Sequence, residues 1–250
     1  MSERLYRWRC IEDRDKALAV LATALEVSDK YLLGISTTNI PFIDVDRKDE
    51  LCTKLLDEFI EWVKRLLKCD VAVLETDKGY HVVPMTVLVN ESELYEEVGA
   101  RIGEIYGKVL DIVTKYVTYD YIRAVGLEPR DVVRDTEAWR KVLSKVPRKM
   151  YPTLLGLVSK LEDYYVQREI IRVKMREGHL YIGGKPTFEE FYRTIKRIAE
   201  VRDPRFPWTL FADACIDKAH VECSIKYHRT TLRISAKAGK DYDIKLLYVT

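Results

Sequence analysis

Strand patterns stand at both ends of this 250-residue chain, and helix patterns fill the stretch between them from about residue 90 to 205. A sheet built from the opening and closing strands must be assembled across that stretch. The helical block is then either inserted into the sheet system or packed beside it, so the expected class is α+β, with mixed and antiparallel sheets. Residues 1–250 are expected to form one domain, in which 90–205 is a helix-rich insertion or subdomain.

The front half supplies most of the strand signals. Leu5 to Trp8 reads as a short strand, and Asp13 to Glu26 as a helix with Ala17, Leu18, Leu21, Ala24 and Leu25 on one face. Tyr31 to Ile35 and Ile40 to Asp46 read as strands joined by Ser36-Thr37-Thr38-Asn39. Leu51, Leu55, Phe59, Val63 and Leu66 then set a helical stripe. Val71 to Glu75 and Tyr80 to Leu88 form a hairpin around Asp77-Lys78-Gly79.

Asn90 opens a long helix with a capping-box pattern and a stripe of Val98, Ile102, Ile105, Val109 and Ile112. Further helices are expected over about 131–145, 152–176 and 186–201, with Pro186 in the first turn of the last. His179 to Ile182 reads as a short strand between them. From about Phe211 the pattern reads as β, with strands at Glu222 to Tyr227, Thr231 to Lys237 and Asp243 to Val249.

Composition narrows the class. Hydrophobic residues make up 47% and charged residues 33%, which suits a folded soluble chain. A net charge of +2 implies no global attraction to nucleic acid, so such binding has to come from local patches. No apolar run reaches the length of a membrane span, and the start is not a signal peptide. Five widely spaced cysteines read as free thiols in a cytoplasmic protein. Gln167 is the only glutamine and Asn39 and Asn90 are the only asparagines, a depletion expected of a protein working at high temperature.

Three stretches carry candidate chemistry. In Ile43-Asp44-Val45-Asp46 the period of two puts both aspartates on one face and both apolar residues on the other. Two adjacent carboxylates repel unless water or a cation compensates, and a hard divalent metal is the usual cation. Alone, the stretch reads first as a strand end with two solvated acids. In Thr76-Asp77-Lys78-Gly79-Tyr80-His81, a glycine lets a ligand approach the backbone, Lys78 brings a mobile positive charge, and His81 opens the next strand. Such a set suits phosphate oxygens, but alone the stretch reads first as an ordinary hairpin turn with an incidental His. In the tail, Ile216-Asp217 precedes a strand in which Arg233, Ser235 and Lys237 share a face opposite Leu232, Ile234 and Ala236. A triphosphate would meet a matching surface there, as would solvent.

In this order the three stretches resemble the motifs of the archaeo-eukaryotic primase superfamily, which includes the primase small subunit and plasmid primase-polymerases. The family pattern is a paired-aspartate motif, a small-residue-x-His motif, and a single acid followed by a basic strand. Here these match Asp44 and Asp46; Gly79 with His81; and Asp217 with Arg233, Ser235 and Lys237. The likeness covers about residues 30–88 and 211–240. Arg229 and Arg233 stand one residue farther apart than in the primase small subunit.

The resemblance implies sheets around a central catalytic cleft and template-dependent nucleotidyl transfer with Mg²⁺ or Mn²⁺. The metal would be held by Asp44, Asp46 and Asp217, with Lys78, Gly79, His81, Arg233, Ser235 and Lys237 on the nucleotide. It implies nucleoside triphosphates, single-stranded DNA template and primer as partners, with a second primase subunit or a helicase on another chain. A catalytically inactive nucleic-acid-binding subunit and an unrelated metal-dependent nuclease are the alternatives.

Two further clusters carry charge or potential metal ligands. Arg140, Lys141, Lys145, Arg148 and Lys149, near Trp139 and Tyr151, suit template phosphates and base stacking. A solvated helix face with Glu137 as an i,i+4 partner accounts for them as well. Cys215, His220, Cys223 and His228 match no standard zinc spacing, and no zinc is expected.

Overall fold

The computed structural model describes residues 34–125, 136–233 and 244–250. The expected elements at 5–8 and 13–26, and the site residues Ser235 and Lys237, lie outside them. The chain divides into two compact units. Residues up to Glu91 together with Gly178–Thr250 form the first, and Ser92–Glu177 form the second.

In the first unit, β2 (Ile43–Val45), β3 (Val71–Glu75), β4 (Tyr80–Pro84) and β8 (Lys245–Val249) make an antiparallel sheet in the order β2-β4-β3-β8. A second, two-stranded sheet pairs β1 (Gly34–Thr37) with β7 (Thr230–Arg233). Each joins chain from before and after the helical stretch, as the pattern of the sequence requires. The structure is thus α+β with small antiparallel sheets.

The two faces of the larger sheet follow from strand alternation. Ile43, Val45, Val71, Val73, Tyr80 and Val82 face a core shared with α1 (Glu50–Leu67), α6 (Phe188–Val201) and α7 (Pro207–Ala214). Ala72, Leu74 and Val83 face the other way, into a smaller cluster with Ile40, Phe42, Met85, Ile244 and Leu232 of β7.

Helix α1 begins at Asp49, whose carboxylate accepts the Cys52 N–H at 3.0 Å. That bond holds the Asp49 carboxyl below the usual carboxylate range. Its buried stripe is Cys52, Leu56, Phe59, Ile60, Val63 and Leu67. The stripe is rotated from the one expected, and Leu51 is 47% exposed. Cys52 turns inward instead, because it forms a disulfide with Cys215 at the end of α7. This corrects the expectation of free thiols for that pair.

The crosslink closes a sequence separation of 163 residues. Restricting so long a loop in the unfolded chain is worth about 5 kcal/mol on chain entropy alone, and disulfides typically deliver about 2–4 kcal/mol. The double variant Cys52→Ala/Cys215→Ala is therefore expected to lose about that much stability in a urea titration. Native stability in the variant would show that the crosslink contributes nothing.

The tail departs most from expectation. Lys218–Tyr227 is helix α8, where a strand over Glu222 to Tyr227 is read from the sequence, and Pro207–Ala214 is helix α7. Two local causes outweigh the period-two pattern. The Asp217 carboxylate caps α8, accepting the N–H groups of Ala219 at 2.8 Å and His220 at 3.1 Å. Val221 and Ser224, one helical turn apart, are the residues it buries. Pro186 also moves: it ends the short hairpin β5 (Tyr181–Ile182) and β6 (Lys185–Pro186), and Thr187 precedes α6.

Helix α6 carries a second structural duty. The chain leaves the first unit at Glu91 and re-enters it at Gly178, and α6 holds both points. The Glu91 N–H donates to Glu189 at 2.8 Å, and the Glu91 carboxylate accepts from Arg193 at 3.0 Å and from the Thr187 hydroxyl. Arg197 donates to the Gly178 carbonyl at 3.1 Å and pairs with Glu190. Glu91, Glu189 and Glu190 are all fully buried, and burial raises the Glu91 carboxyl above its ordinary range. Buried carboxylates of this kind depend on such partners, which leave Glu190 Oε2 alone among their oxygens without a hydrogen bond among the described residues.

The second unit comprises nearly all of α2 (Glu91–Val113), with α3 (Tyr119–Ala124), α4 (Thr136–Leu143), a 3₁₀ turn at Arg148–Met150, and α5 (Tyr151–Glu177). Val98, Ile102, Ile105 and Val109 form the buried stripe of α2, as their spacing predicts, but Ile112 is only half-buried and Val113 takes the inward place. Among the described residues no helix is long and apolar enough to cross a membrane.

Candidate metal centre

Strand β2 does what its alternation demands. Ile43 and Val45 are buried in the main core, while Asp44 is partly exposed and Asp46 exposed on the opposite face. β2 is an edge strand of the four-stranded order, but its outer side is not bare. The segment 215–217 lies antiparallel along it, bridging Val45 to Ile216. The Asp46 N–H donates to the Cys215 carbonyl at 3.1 Å, and the Asp217 N–H to the Asp44 carbonyl at 2.9 Å.

This pairing brings the third acid home. One ligand oxygen each from Asp44, Asp46 and Asp217 can be chosen so that all lie within 4.8 Å of one another. Among the described residues this is the one group of His, Cys, Asp or Glu that converges in this way. The donor set is all carboxylate, which suits Mg²⁺ or Mn²⁺. The nearby Asp213 has a different fate. It pairs with Lys218 at 2.7 Å and Arg202 at 2.9 Å, and the Lys218 bond is the main cause holding its carboxyl below the usual range.

On the inner side of β2, His81 stands directly across from Asp44 in the β2–β4 register. Its Nε2 lies 3.4 Å from Asp44 Oδ1. The ring is buried, and Nδ1 has no hydrogen-bond partner among the described residues. The sheet thus carries a row of Asp217, Asp44 and His81 on three neighbouring segments.

Gly79 belongs to this arrangement for a steric reason. A Cβ built there would sit 1.7 Å from the Val45 carbonyl oxygen and 2.8 Å from its carbon. The backbone that comes close to the glycine is the chain's own, passing between the two aspartates. The turn is locked by mutual bonds between Thr76 and Gly79, each 2.9 Å. Lys78 is exposed at its tip.

The remaining expected site residues divide. Arg233 ends β7, opposite Gly34, and its neighbour Leu232 is buried, in keeping with the alternation read from the tail. Arg140, Lys141, Lys145, Arg148 and Lys149 belong to the second unit. Lys141 pairs with Glu137 at 3.2 Å, the i,i+4 contact that a solvated face predicts, and Lys145 lies 6.0 Å from the Tyr121 ring centroid. Of the four residues weighed for zinc, Cys215 is in the disulfide and Cys223 is exposed. The His228 ring meets Glu189 at 2.9 Å, and the His220 ring meets the Phe42 carbonyl at 3.1 Å.

Two features of the site escape a reading of the sequence. One is the disulfide, although its halves flank the acids: Cys52 follows Asp46 and Cys215 precedes Asp217. The other is His220, three residues after the capping Asp217, a spacing that marks the first turn of a helix. A comparison with protein families, with curated proteins and with solved structures finds no match for the chain.

Proposed function

We propose that the protein is a template-dependent nucleotidyltransferase of the primase-polymerase kind, acting in the cytoplasm on nucleoside triphosphates, a single-stranded DNA template and a primer. The observation that carries this reading is the convergence of Asp217, from the tail of the chain, with Asp44 and Asp46. Three carboxylates within 4.8 Å of one another repel, and a divalent cation removes that repulsion. Asp44, Asp46 and Asp217 are the residues that would hold Mg²⁺ or Mn²⁺. When bound, such ions activate the attacking hydroxyl and stabilise the leaving pyrophosphate.

The chain's own groups have distinct parts in this reading. Asp217 is fixed by the β2 backbone and by its capping bonds, so it keeps its place without side-chain reorganisation. His81, beside Asp44, is the donor for phosphate oxygens of the incoming nucleotide, with Lys78 on the flanking turn. Arg233, Ser235 and Lys237 supply further contacts to the triphosphate, and electrostatic contacts of this kind stabilise charge that develops during transfer. Arg140, Lys141, Lys145, Arg148 and Lys149 are the proposed template contacts. A second primase subunit or a helicase on another chain would supply strand opening.

The test is incubation of the protein with Mn²⁺, nucleoside triphosphates and an end-labelled primer on a longer template. Extension is the expected result. Shortening of the label would overturn the reading in favour of a nuclease, and binding with no change in length would mark an inactive nucleic-acid-binding subunit.

A further inference from the structure

His220 sits between two of the three sequence motifs, the paired-aspartate strand and the tail that carries Asp217. Its backbone N–H donates to the Asp217 carboxylate at 3.1 Å, so it helps form the cap that orients the third acid. Its ring Nε2 lies 3.1 Å from the Phe42 carbonyl, two residues before Asp44, and 2.8 Å from the Thr230 hydroxyl on β7. A carbonyl oxygen only accepts, so the bond to Phe42 requires the proton on Nε2. The Thr230 oxygen then accepts from the same N–H, while its own hydroxyl faces the Phe42 carbonyl at 3.5 Å. The phenol of Tyr192, fully buried, donates to that carbonyl at 2.6 Å. Ser224 donates to the His220 carbonyl at 2.9 Å and holds the first turn of α8 from behind.

One residue therefore ties the cap of Asp217 to the start of the Asp44 strand and to the strand that leads to Arg233. The two backbone bonds that pair 215–217 with β2, from Asp46 N–H to Cys215 and from Asp217 N–H to Asp44, reach neither Phe42 nor β7. We infer that His220 is a positioning residue for the acidic cluster: it sets the distance of Asp217 from Asp44 and Asp46, and so the affinity for a divalent cation, without touching the cation. This rests on the proposed metal-binding role of those acids. Outer partners that orient a ligand are typically worth 10–100-fold in metal affinity.

The test is direct Mn²⁺ binding, followed by the electron paramagnetic resonance signal of free Mn²⁺, on the full chain. Wild type, Asp44→Ala, His220→Ala and His220→Gln are compared, each with its melting temperature. The glutamine amide N–H stands near where Nε2 stands. His220→Ala is expected to weaken binding about 10–100-fold, and His220→Gln to recover most of the loss. A purely structural role would lower the melting temperature of His220→Ala and leave its Mn²⁺ affinity unchanged. That outcome, with Asp44→Ala devoid of binding, overturns the inference and leaves the metal reading intact. Wild type binding no better than Asp44→Ala removes the metal reading, and the inference with it. Should His220→Ala not fold, Thr230→Val, which keeps the shape and deletes the hydroxyl, is expected to weaken binding in the same direction. Unchanged affinity in Thr230→Val then counts as the overturning result.

Discussion

Asp44→Ala is expected to abolish nucleotide incorporation and Mn²⁺ binding while the protein folds as well as before. The two halves of that expectation have separate causes. Unit charges no more than 4.8 Å apart repel by at least roughly 1 kcal/mol in water and at least roughly 3 kcal/mol at an effective dielectric constant of about 20. Asp44 and Asp46 are partly or fully exposed, so the lower figure is nearer, and deleting one acid relieves strain in the metal-free protein. The contact to His81 is lost in exchange, and the melting temperature should stay level or rise slightly.

Activity has no such compensation. A metal-held transition state is worth several kcal/mol, so the rate should fall by about a thousandfold or more. Asp217→Asn makes the same point more finely. Asparagine caps a helix as well as aspartate does, so α8 keeps its start while the site loses a charge. Incorporation at wild-type rate in either variant, measured by primer extension, would sink the assignment of these acids.

Gly79→Ala is the second large effect, and it runs the other way, through the fold. The added carbon would meet the Val45 carbonyl oxygen at 1.7 Å and the Arg47 nitrogen at 3.0 Å. Both are backbone atoms, so no side chain can swing aside. Overpacking of this kind costs about 3 kcal/mol or more. The displaced atoms lie between Asp44 and Asp46, and Mn²⁺ affinity should fall together with stability. Urea unfolding with a parallel Mn²⁺ titration checks both. A variant as stable as wild type would mean that the turn and β2 are free to separate, contrary to the contact described.

Some of the site was legible in the residues and some was not. The common face of Asp44 and Asp46 follows from alternation alone, because a half-buried strand has no other way to hide Ile43 and Val45. The hairpin carrying His81 follows from the turn residues between two apolar runs. The place of Asp217 does not follow from anything local. It depends on a pairing with β2 across the whole helical stretch, and three residues of irregular edge strand leave no periodic trace. The reading of Glu222 to Tyr227 as a strand failed because apolar and polar residues alternate there. Helix α8 instead buries Val221 and Ser224, a spacing visible only once Asp217 is known to be a cap. Leu51 misled the stripe of α1 for a related reason: the inward position belongs to Cys52, whose partner is fixed by the tertiary structure and not by spacing.

The clamp on α6 bears on how such a chain can change over generations. Arg193 bonds to Glu91, and its Cδ lies 3.1 Å from where a side chain at Gly178 would begin. Exit and return are thus neighbours on a single arginine, and to the sheets the 86 residues of Ser92–Glu177 amount to a closed detour. Chain inserted between two points already held together can be lengthened, pruned or exchanged for another module with little disturbance to the host. The acids sit wholly in the host, so a change in the length of the detour leaves the chain that carries them uncut.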